Sequence, residues 1–328
     1  MSSPRVVIIG GGPAGCQAAI YGASEGLNVT LFDAVRVGGQ MFESSLLENI
    51  GGFPEGITGA ELAERLRAQM LKFGTRVRCP ERVIEIRPLK DAQFMVIGNA
   101  GYSDLADVVV VATGLSYSRL NGVDGLETLQ GRGVHYGAPP LSLIEPPRNV
   151  CIVGGANSAG QAAVHFADIP GTVVHILIRG THGIKKTMSA YLVDKILDRA
   201  NIQVHLETTV RAVKGHDSLE YVRVMTGGED RTIKADLMAI FIGARPLADC
   251  LPSVIARDQY GFIYTGRNVP KGVFPLERAA RDFESSAPGI FAIGDGRHGA
   301  RKRAITAMGE GAAAVVEIHQ YLNLHNGR

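Results

Sequence analysis

Residues Arg5 to Gly15, RVVIIGGGPAG, decide how this chain is read. Val6, Val7, Ile8 and Ile9 form an unbroken β-branched run, the pattern of a parallel strand covered on both faces. Gly10, Gly12 and Gly15 follow with G-x-G-x-x-G spacing. In that spacing the first glycine permits the tight turn, the second lets backbone approach a pyrophosphate, and the third lets the helix pack on the strand. The turn residues Gly10, Gly12, Pro13, Ala14 and Gly15 are therefore a candidate phosphate cradle. A helix from about Ala14 to Glu25 points its N-terminal amides and dipole at that phosphate. Asp33 closes the unit at the end of the strand Asn28 to Asp33, about 20 residues on, where an acid accepts hydrogen bonds from a ribose.

The same order returns once. Strand Asn149 to Val153 leads into GGANSAGQAAVHFA, Gly154 to Ala167, and then into strand Thr172 to Arg179. Here the second glycine place is Ala156 and the third is Ala159. Alanine is allowed at the third, but at the second it adds a methyl group where the pyrophosphate approaches. Gly154, Gly155, Asn157, Ser158 and Ala159 form this second candidate cradle. Arg179 stands where a guanidinium could hold a 2′-phosphate, although Gly180 follows it and Lys185 and Lys186 come later.

Between and around these turns, an amphipathic helix is expected over Gly59 to Phe73, with Leu62, Leu66, Met70 and Phe73 on one face. Strands are expected at Val77 to Ile86, Gln93 to Ile97 and Ala106 to Gly114. In the second half the pattern gives helix Ala190 to Ala200 and strands Gln203 to His205, Val210 to Lys214, Val222 to Thr226 and Ile233 to Phe241. Asp258 to Gly266 reads as turn and strand, Ala287 to Arg297 as a buried strand before Gly294 and Asp295, and Arg303 to Leu322 as a helix rich in small residues. The expected fold class is α/β with two Rossmann-like nucleotide-binding domains. Residues 119–245 are inserted into a discontinuous domain made of 1–118 and 246–328.

Composition excludes several classes of function. With 34 basic and 32 acidic residues there is no charge excess to hold nucleic acid or an acidic membrane surface. No apolar run approaches the ~20 residues of a membrane helix, and the N-terminus has no signal-peptide pattern, so a cytoplasmic protein is expected. Cys16, Cys79, Cys151 and Cys250 stand far apart, with no C-x-x-C and no metal-ligand spacing. No metal is expected. Cys16 lies in the first turn of the phosphate-binding helix, where a dipole lowers a thiol pKa, but a helix packed under a sheet favours an inert buried thiol.

With these residues in hand, the chain resembles the low-molecular-weight thioredoxin reductases of the pyridine nucleotide-disulfide oxidoreductase superfamily. The likeness runs nearly end to end: GGGPAG at Gly10, GGQ at Gly38, ENIGGFP at Glu48, ATG at Ala112, the second turn at Gly154 and GIFAIGD at Gly289. The resemblance implies a homodimer with FAD in the discontinuous domain and NADPH in the inserted one. It implies that Gly10, Gly12, Gly15 and Asp33 hold the adenosine diphosphate part. Gly39, Gln40 and Asn49 would lie by the isoalloxazine, with Ala112, Thr113 and Gly114 along the cofactor and Gly294 and Asp295 at the ribitol. Lys302, Arg303 and Ala304 match the family's Arg-Gln-Ala segment beside the flavin, with two positions changed.

The sequence departs from the family at the redox dithiol. Where the family has C-A-T-C, this chain reads GVHYGAPPL, Gly133 to Leu141, so the cysteine places fall on Gly137 and Pro140. Neither can form a disulfide. GGANSAGQAA, the run Met188 to Leu192, FIGARP at Phe241 and GDGRHGARKRA at Gly294 resemble a thioredoxin reductase-like subgroup without that dithiol. The resemblance implies an FAD-dependent oxidoreductase passing electrons from NAD(P)H to an external acceptor, and not reducing thioredoxin through a dithiol. Two alternatives stand beside it: a flavoprotein reduced by a ferredoxin-like donor, and a flavin-binding regulator without turnover. His135 and Tyr136 sit in the lead to the vacant dithiol place, where a histidine near a flavin could protonate an acceptor. The other reading is a loop histidine with a satisfied ring beside a packed tyrosine.

Overall fold

The computed structural model describes residues 3–326 apart from 45, 48, 138 and 140–145. It divides into two compact units, Met1–Ser116 with Arg245–Arg328, and Tyr117–Ala244. The first unit opens with β1 (Arg5–Ile9), α1 (Pro13–Ser24) and β2 (Asn28–Phe32), then α2 (Gly59–Lys72) and β3 (Arg76–Arg78). An antiparallel meander follows: β4 (Val83–Pro88), β5 (Phe94–Gly98) and β6 (Ser103–Ala106). The chain then returns through β7 (Val108–Val111) and leaves by β8 (Leu115–Tyr117).

The second unit holds α3 (Leu126–Leu129), β9 (Val134–Tyr136), β10 (Asn149–Val153), α4 (Asn157–Ala167), β11 (Val173–Leu177), α5 (Ala190–Leu197) and β12 (Ile202–His205). Its meander is β13 (Thr208–Lys214), β14 (Tyr221–Thr226) and β15 (Glu229–Lys234), followed by β16 (Leu237–Ile240). β17 (Ala244–Pro246) leads back to the first unit, which ends with β18 (Ile290–Ala292) and α6 (Ala304–Asn326).

Each unit is one plan used twice. The first has a parallel sheet in the order β18-β7-β1-β2-β3, the second a parallel sheet in the order β9-β16-β10-β11-β12. The central strands are buried on both faces, as continuous β-branched runs require. In the first unit one face of the sheet packs on α1, α2 and α6 and the other on Val83, Ile86, Phe94 and Val96 of the meander. In the second, Val150, Ile152 and Ala239 pack with α4 and α5, while Cys151, Val153 and Met238 pack with Val210, Val222 and Val224 of β13 and β14.

Three expected strands differ from what is found. The run read as Val77 to Ile86 is two strands, ending at Arg78 and resuming at Val83; Pro80 between them has no N–H for a ladder. The run Ile233 to Phe241 is also two, broken where the Asp236 carboxylate accepts from Arg148 N and Asn149 N at 2.9 and 2.8 Å and pins the start of β10. Asp258 to Gly266 forms isolated bridges instead of a strand, because the Asp258 carboxylate accepts from Tyr260 N and Phe262 N and closes a turn.

The long helix α6 lies against α1 through Gly311, where an added Cβ would stand 2.3 Å from Ala14 O and 2.9 Å from Ala18 N. At Gly309, on the same helix, an added Cβ would meet nothing within 4 Å. Gly311→Ala is therefore expected to destabilise the protein by about 1–3 kcal/mol through overpacking. Gly309→Ala is expected to be neutral or to stabilise by up to about 1 kcal/mol. Urea denaturation of the two variants side by side checks the pair, and equal midpoints would contradict the packing of α6 on α1.

Candidate functional site

The turn between β1 and α1 is shaped by absent side chains. Gly10 has a φ of +108°, and a Cβ there would lie 2.3 Å from Ala112 O. A Cβ at Gly15 would lie 1.9 Å from Gly10 O. These two glycines are required by the protein's own backbone. Gly12 is different, since a Cβ there would meet nothing within 4 Å. Nothing among the described residues excludes a side chain at Gly12, and the space above it is open. Gly12 is also the N-cap of α1 and gives no side-chain hydrogen bond to the first turn, which leaves helix amides available to an anion.

Other expected residues converge on this turn within the same unit. The loop at Gly38 to Gln40 is tied by Gly38 N donating to Gly11 O at 2.7 Å, and a Cβ on Gly39 would reach Gly12 Cα at 3.1 Å. Gln40 Nε2 donates to Leu115 O at 2.6 Å. Thr113 Oγ1 donates to Leu247 O at 2.6 Å, between Ala112 under Gly10 and Gly114, whose φ is +65°. Gly294 faces Ala14, with an added Cβ 3.0 Å from Ala14 Cβ. Asn49 stands in an exposed bend. Pro13 is the first residue of α1, where its missing N–H costs nothing, and Ala14 follows it buried.

Asp33 is engaged by the backbone of its own unit. Its Oδ2 accepts from Gly11 N at 2.7 Å and its Oδ1 from Val35 N and Arg36 N at 2.9 Å each. One carboxylate thus braces both loops that flank the cradle, with part of its acceptor capacity left over. Asp295 is the opposite case. It is half-buried and its side chain has no hydrogen-bond partner among the described residues. Burial pushes its pKa up, Lys302 pulls it down and Glu310 pushes it up again. A carboxylate held in this way is a ready partner for a hydroxyl group. Lys302 and Arg303 are exposed just before Ala304, the first residue of α6.

Glu310 was not read from the sequence as part of this site. It is 8 % exposed, accepts from Gly294 N at 2.8 Å, and takes Arg297 Nη2 at 2.5 Å and Nε at 3.2 Å. It clamps the Gly294–Asp295 turn to α6. The available signal was a carboxylate between Gly309 and Gly311 in the small-residue first half of the helix.

The second turn repeats the backbone of the first and changes its lining. Gly154 N donates to Leu177 O at 3.0 Å as Gly10 N does to Phe32 O at 2.7 Å, and a Cβ on Gly154 would lie 2.4 Å from Phe241 O. Ala156, the N-cap of α4, occupies the place of Gly12 with its side chain exposed. By strand register Ile178 holds the place in the second turn that Asp33 holds in the first, and it is 8 % exposed. Arg179 is exposed, with no partner among the described residues. Asn157 Oδ1 accepts from Ser189 N at 2.8 Å, Thr187 Oγ1 donates to Gly155 O at 2.5 Å, Ser158 is exposed and Ala159 is fully buried.

His135 and Tyr136 lie on β9. The Tyr136 oxygen accepts from Leu120 N at 3.0 Å and Arg119 stacks on its ring at 4.8 Å. Burial lowers the His135 pKa and so favours the neutral ring, and its Nε2 is buried without a hydrogen-bond partner. Gly137 has a φ of +86°, and Pro140 lies outside the described residues. Among the described residues no group of His, Cys, Asp and Glu could hold a metal ion, and no helix is long and apolar enough to cross a membrane.

The pyridine nucleotide-disulphide oxidoreductase family model matches residues 4–311. The thioredoxin reductase of Eremothecium gossypii is 31% identical over 336 residues, covering 97% of this chain and 98% of that one. That of Schizosaccharomyces pombe is 30% identical over 339 residues, covering 98% of each. Among solved structures, thioredoxin reductase from Giardia duodenalis superposes with a TM-score of 0.77 at 26% identity, covering 98% of this chain and 100% of that chain. The Streptococcus pyogenes enzyme gives 0.75 at 26%, covering 98% and 99%.

The cysteines separate by burial. Desolvation pushes Cys16 and Cys151 up to about 12, and Cys16 Sγ donates to Gly11 O at 3.1 Å despite its place in the first turn of α1. Cys79 and Cys250 are partly exposed and less displaced. At about pH 8 a thiol reagent is expected to label Cys79 and Cys250 first, and Cys16 and Cys151 only on unfolding, because the thiolate is the reactive species. Mass-spectrometric mapping of the labelled sites in native and urea-treated protein checks this; early labelling of Cys16 would contradict it.

Proposed function

From the premise that the chain belongs to the pyridine nucleotide-disulphide oxidoreductase family and is an FAD-dependent oxidoreductase of thioredoxin reductase type, we propose that it passes electrons from NAD(P)H through FAD to an acceptor outside the chain, with no dithiol relay. The observation that carries this reading is the cysteine inventory. The sequence contains no C-x-x-C, and Cys16 and Cys151 are fully buried as thiols. Electrons that cannot pass to an internal disulfide must leave from the cofactor itself.

FAD supplies hydride acceptance and onward electron transfer, and the protein supplies position and field. In this reading the N-terminal amides of α1 above Gly12 hold the pyrophosphate, and the spare acceptor capacity of Asp33 takes a ribose hydroxyl. Asp295 accepts from a ribitol hydroxyl. Lys302 and Arg303, at the start of α6, add positive charge beside the flavin and favour its reduced, anionic form. The α4 turn with Arg179 holds NADPH in the inserted unit, and two copies of the chain form a homodimer.

A second reading has a specific observation behind it. Ala156 places a methyl group at the pyrophosphate position, and Ile178 replaces the acid of the first turn. Both departures fit a flavoprotein that receives electrons from a ferredoxin-like donor instead of a pyridine nucleotide.

Anaerobic mixing separates the two. Bleaching of the flavin's long-wavelength band by NADPH or NADH is the expected result, without reduction of added thioredoxin. Bleaching by reduced ferredoxin or dithionite, and by neither nucleotide, would overturn the first reading. A second expectation concerns the cradle. Gly12→Ala should keep the melting temperature of the FAD-free protein while weakening FAD binding roughly tenfold or more, about 1.4 kcal/mol. Gly15→Ala should lower both. Fluorescence titration with FAD and thermal melts of the FAD-free variants measure them, and an unchanged affinity in Gly12→Ala would remove the phosphate from that place.

A further inference from the structure

A histidine–carboxylate pair lies in the loop that joins the Asp295 turn to α6. His298 Nδ1 is 2.9 Å from Asp258 Oδ2. Asp258 is held by more than the histidine, since its other oxygen accepts from Tyr260 N at 2.9 Å and Phe262 N at 3.0 Å. The His298 ring tilts against Tyr264, with centroids 4.7 Å apart. The backbones are tied as well: Ile263 N donates to Gly296 O at 3.1 Å and His298 N to Ile263 O at 2.8 Å. An imidazole fixed at its backbone, one ring nitrogen and one face keeps a single orientation. His298 is nevertheless 40% exposed at its side chain, against 12% for Asp258.

The pair sits among groups already placed at the candidate cofactor site. Gly296, two residues away, approaches Gly114 O, to which an added Cβ would stand 3.2 Å. Lys302 Nζ lies 5.0 Å above the ring of Phe262 and acts on Asp295. Arg297, next to His298, is committed to Glu310. Of the charged and titratable groups, Asp258 and Tyr264 touch the imidazole, and Arg297 donates to the His298 carbonyl at 3.2 Å while paired with Glu310.

We propose that His298, oriented by Asp258, is the proton donor to an acceptor reduced at this site, and that the acceptor is a quinone or similar conjugated carbonyl compound. This rests on the proposed electron flow from NAD(P)H. Burial raises the Asp258 pKa, but the bonds from His298, Phe262 and Tyr260 outweigh it and hold the carboxyl below its ordinary value. An ionised Asp258 accepts, so Nδ1 carries the hydrogen and Nε2 is the nitrogen turned to the acceptor. The balance is closed. The quinone gains a hydride originating from NAD(P)H, which leaves as NAD(P)⁺, and one proton from His298 Nε2–H, and departs as hydroquinone. The neutral ring then takes a proton from water. Asp258 keeps its charge throughout and is a positioning residue. The buried, unpartnered Nε2 of His135 is poorly placed for this exchange with solvent.

The test uses the FAD-loaded protein reduced with dithionite, so that failure of nucleotide reduction does not enter, and mixes it with menadione or with ferricyanide. Menadione reduction consumes a proton and ferricyanide reduction does not. His298→Gln should lower the ratio of the menadione to the ferricyanide rate by about 10- to 100-fold, within the range of general acid catalysis. Imidazole in the buffer should restore part of it. Asp258→Asn should lower the same ratio, and nitrogen NMR of the FAD-free protein should show its His298 ring losing the Nδ1–H tautomer. Equal loss with both acceptors, together with a lowered melting temperature, would make the pair a structural tie and overturn the proposal. A wild-type protein that reduces ferricyanide but not menadione would overturn it too, leaving the proposed electron flow standing.

Discussion

The structure depends on the approach of α1 to β1, where only hydrogen fits at Gly15. With a Cβ 1.9 Å from the Gly10 carbonyl oxygen, any other residue would move either the strand or the helix. Overpacking of that kind costs about 1–3 kcal/mol and more where backbone is struck, a large part of the roughly 5–15 kcal/mol that holds a domain folded. The constraint travels. α1, placed by Gly15, receives α6 at Gly311. α6, so placed, carries Glu310 to Gly294 N and Arg297. The Asp295 turn is therefore located by a glycine 280 residues earlier in the chain.

Much of this was legible because it is periodic or steric. The first β-α-β reads from the sequence within a residue of where it lies, since a β-branched run, three spaced glycines and an apolar helix face each declare themselves locally. The same holds for β10, which starts and stops where the pattern does. The short elements β8, β9, β17 and α3 were not read, because three or four residues carry too little periodicity. The breaks at Pro80 and Asp236 show a different limit: strand-forming residues stand on both sides of each, and one residue between them, without an N–H in one case and with a carboxylate that takes backbone donors in the other, interrupts the ladder.

Side-chain pairings were the least legible part of the site. Asp258 and His298 are 40 residues apart and meet only because the turn at Asp258 lies along the loop after Gly296. Glu310 and Gly294 are 16 apart across a helix start. Nothing in either segment alone announces its partner. Asp33 was singled out by its spacing alone, and its hydrogen bonds from Gly11, Val35 and Arg36 show it as a brace of the loops, which the spacing did not announce.

The two turns differ in a way that sorts their residues by cause. At the turn itself the backbone imposes one requirement that both obey, since Gly10 and Gly154 each lie under the carbonyl that follows a neighbouring strand, whereas at the helix approach Gly15 of the first turn is Ala159 in the second. Where the chain's own backbone leaves room, they part, at Gly12 against Ala156, and they part again at Asp33 against Ile178. The second exchange has an electrostatic meaning of its own. A carboxylate at that place accepts from a ribose 2′-hydroxyl but repels a 2′-phosphate. Replacing it with Ile178, one residue before the Arg179 cation that has no partner among the described residues, removes the repulsion and leaves the attraction. The exchange of Asp33 for Ile178 is thus compatible with either proposed donor, and the methyl group of Ala156 is the departure that bears on a pyrophosphate.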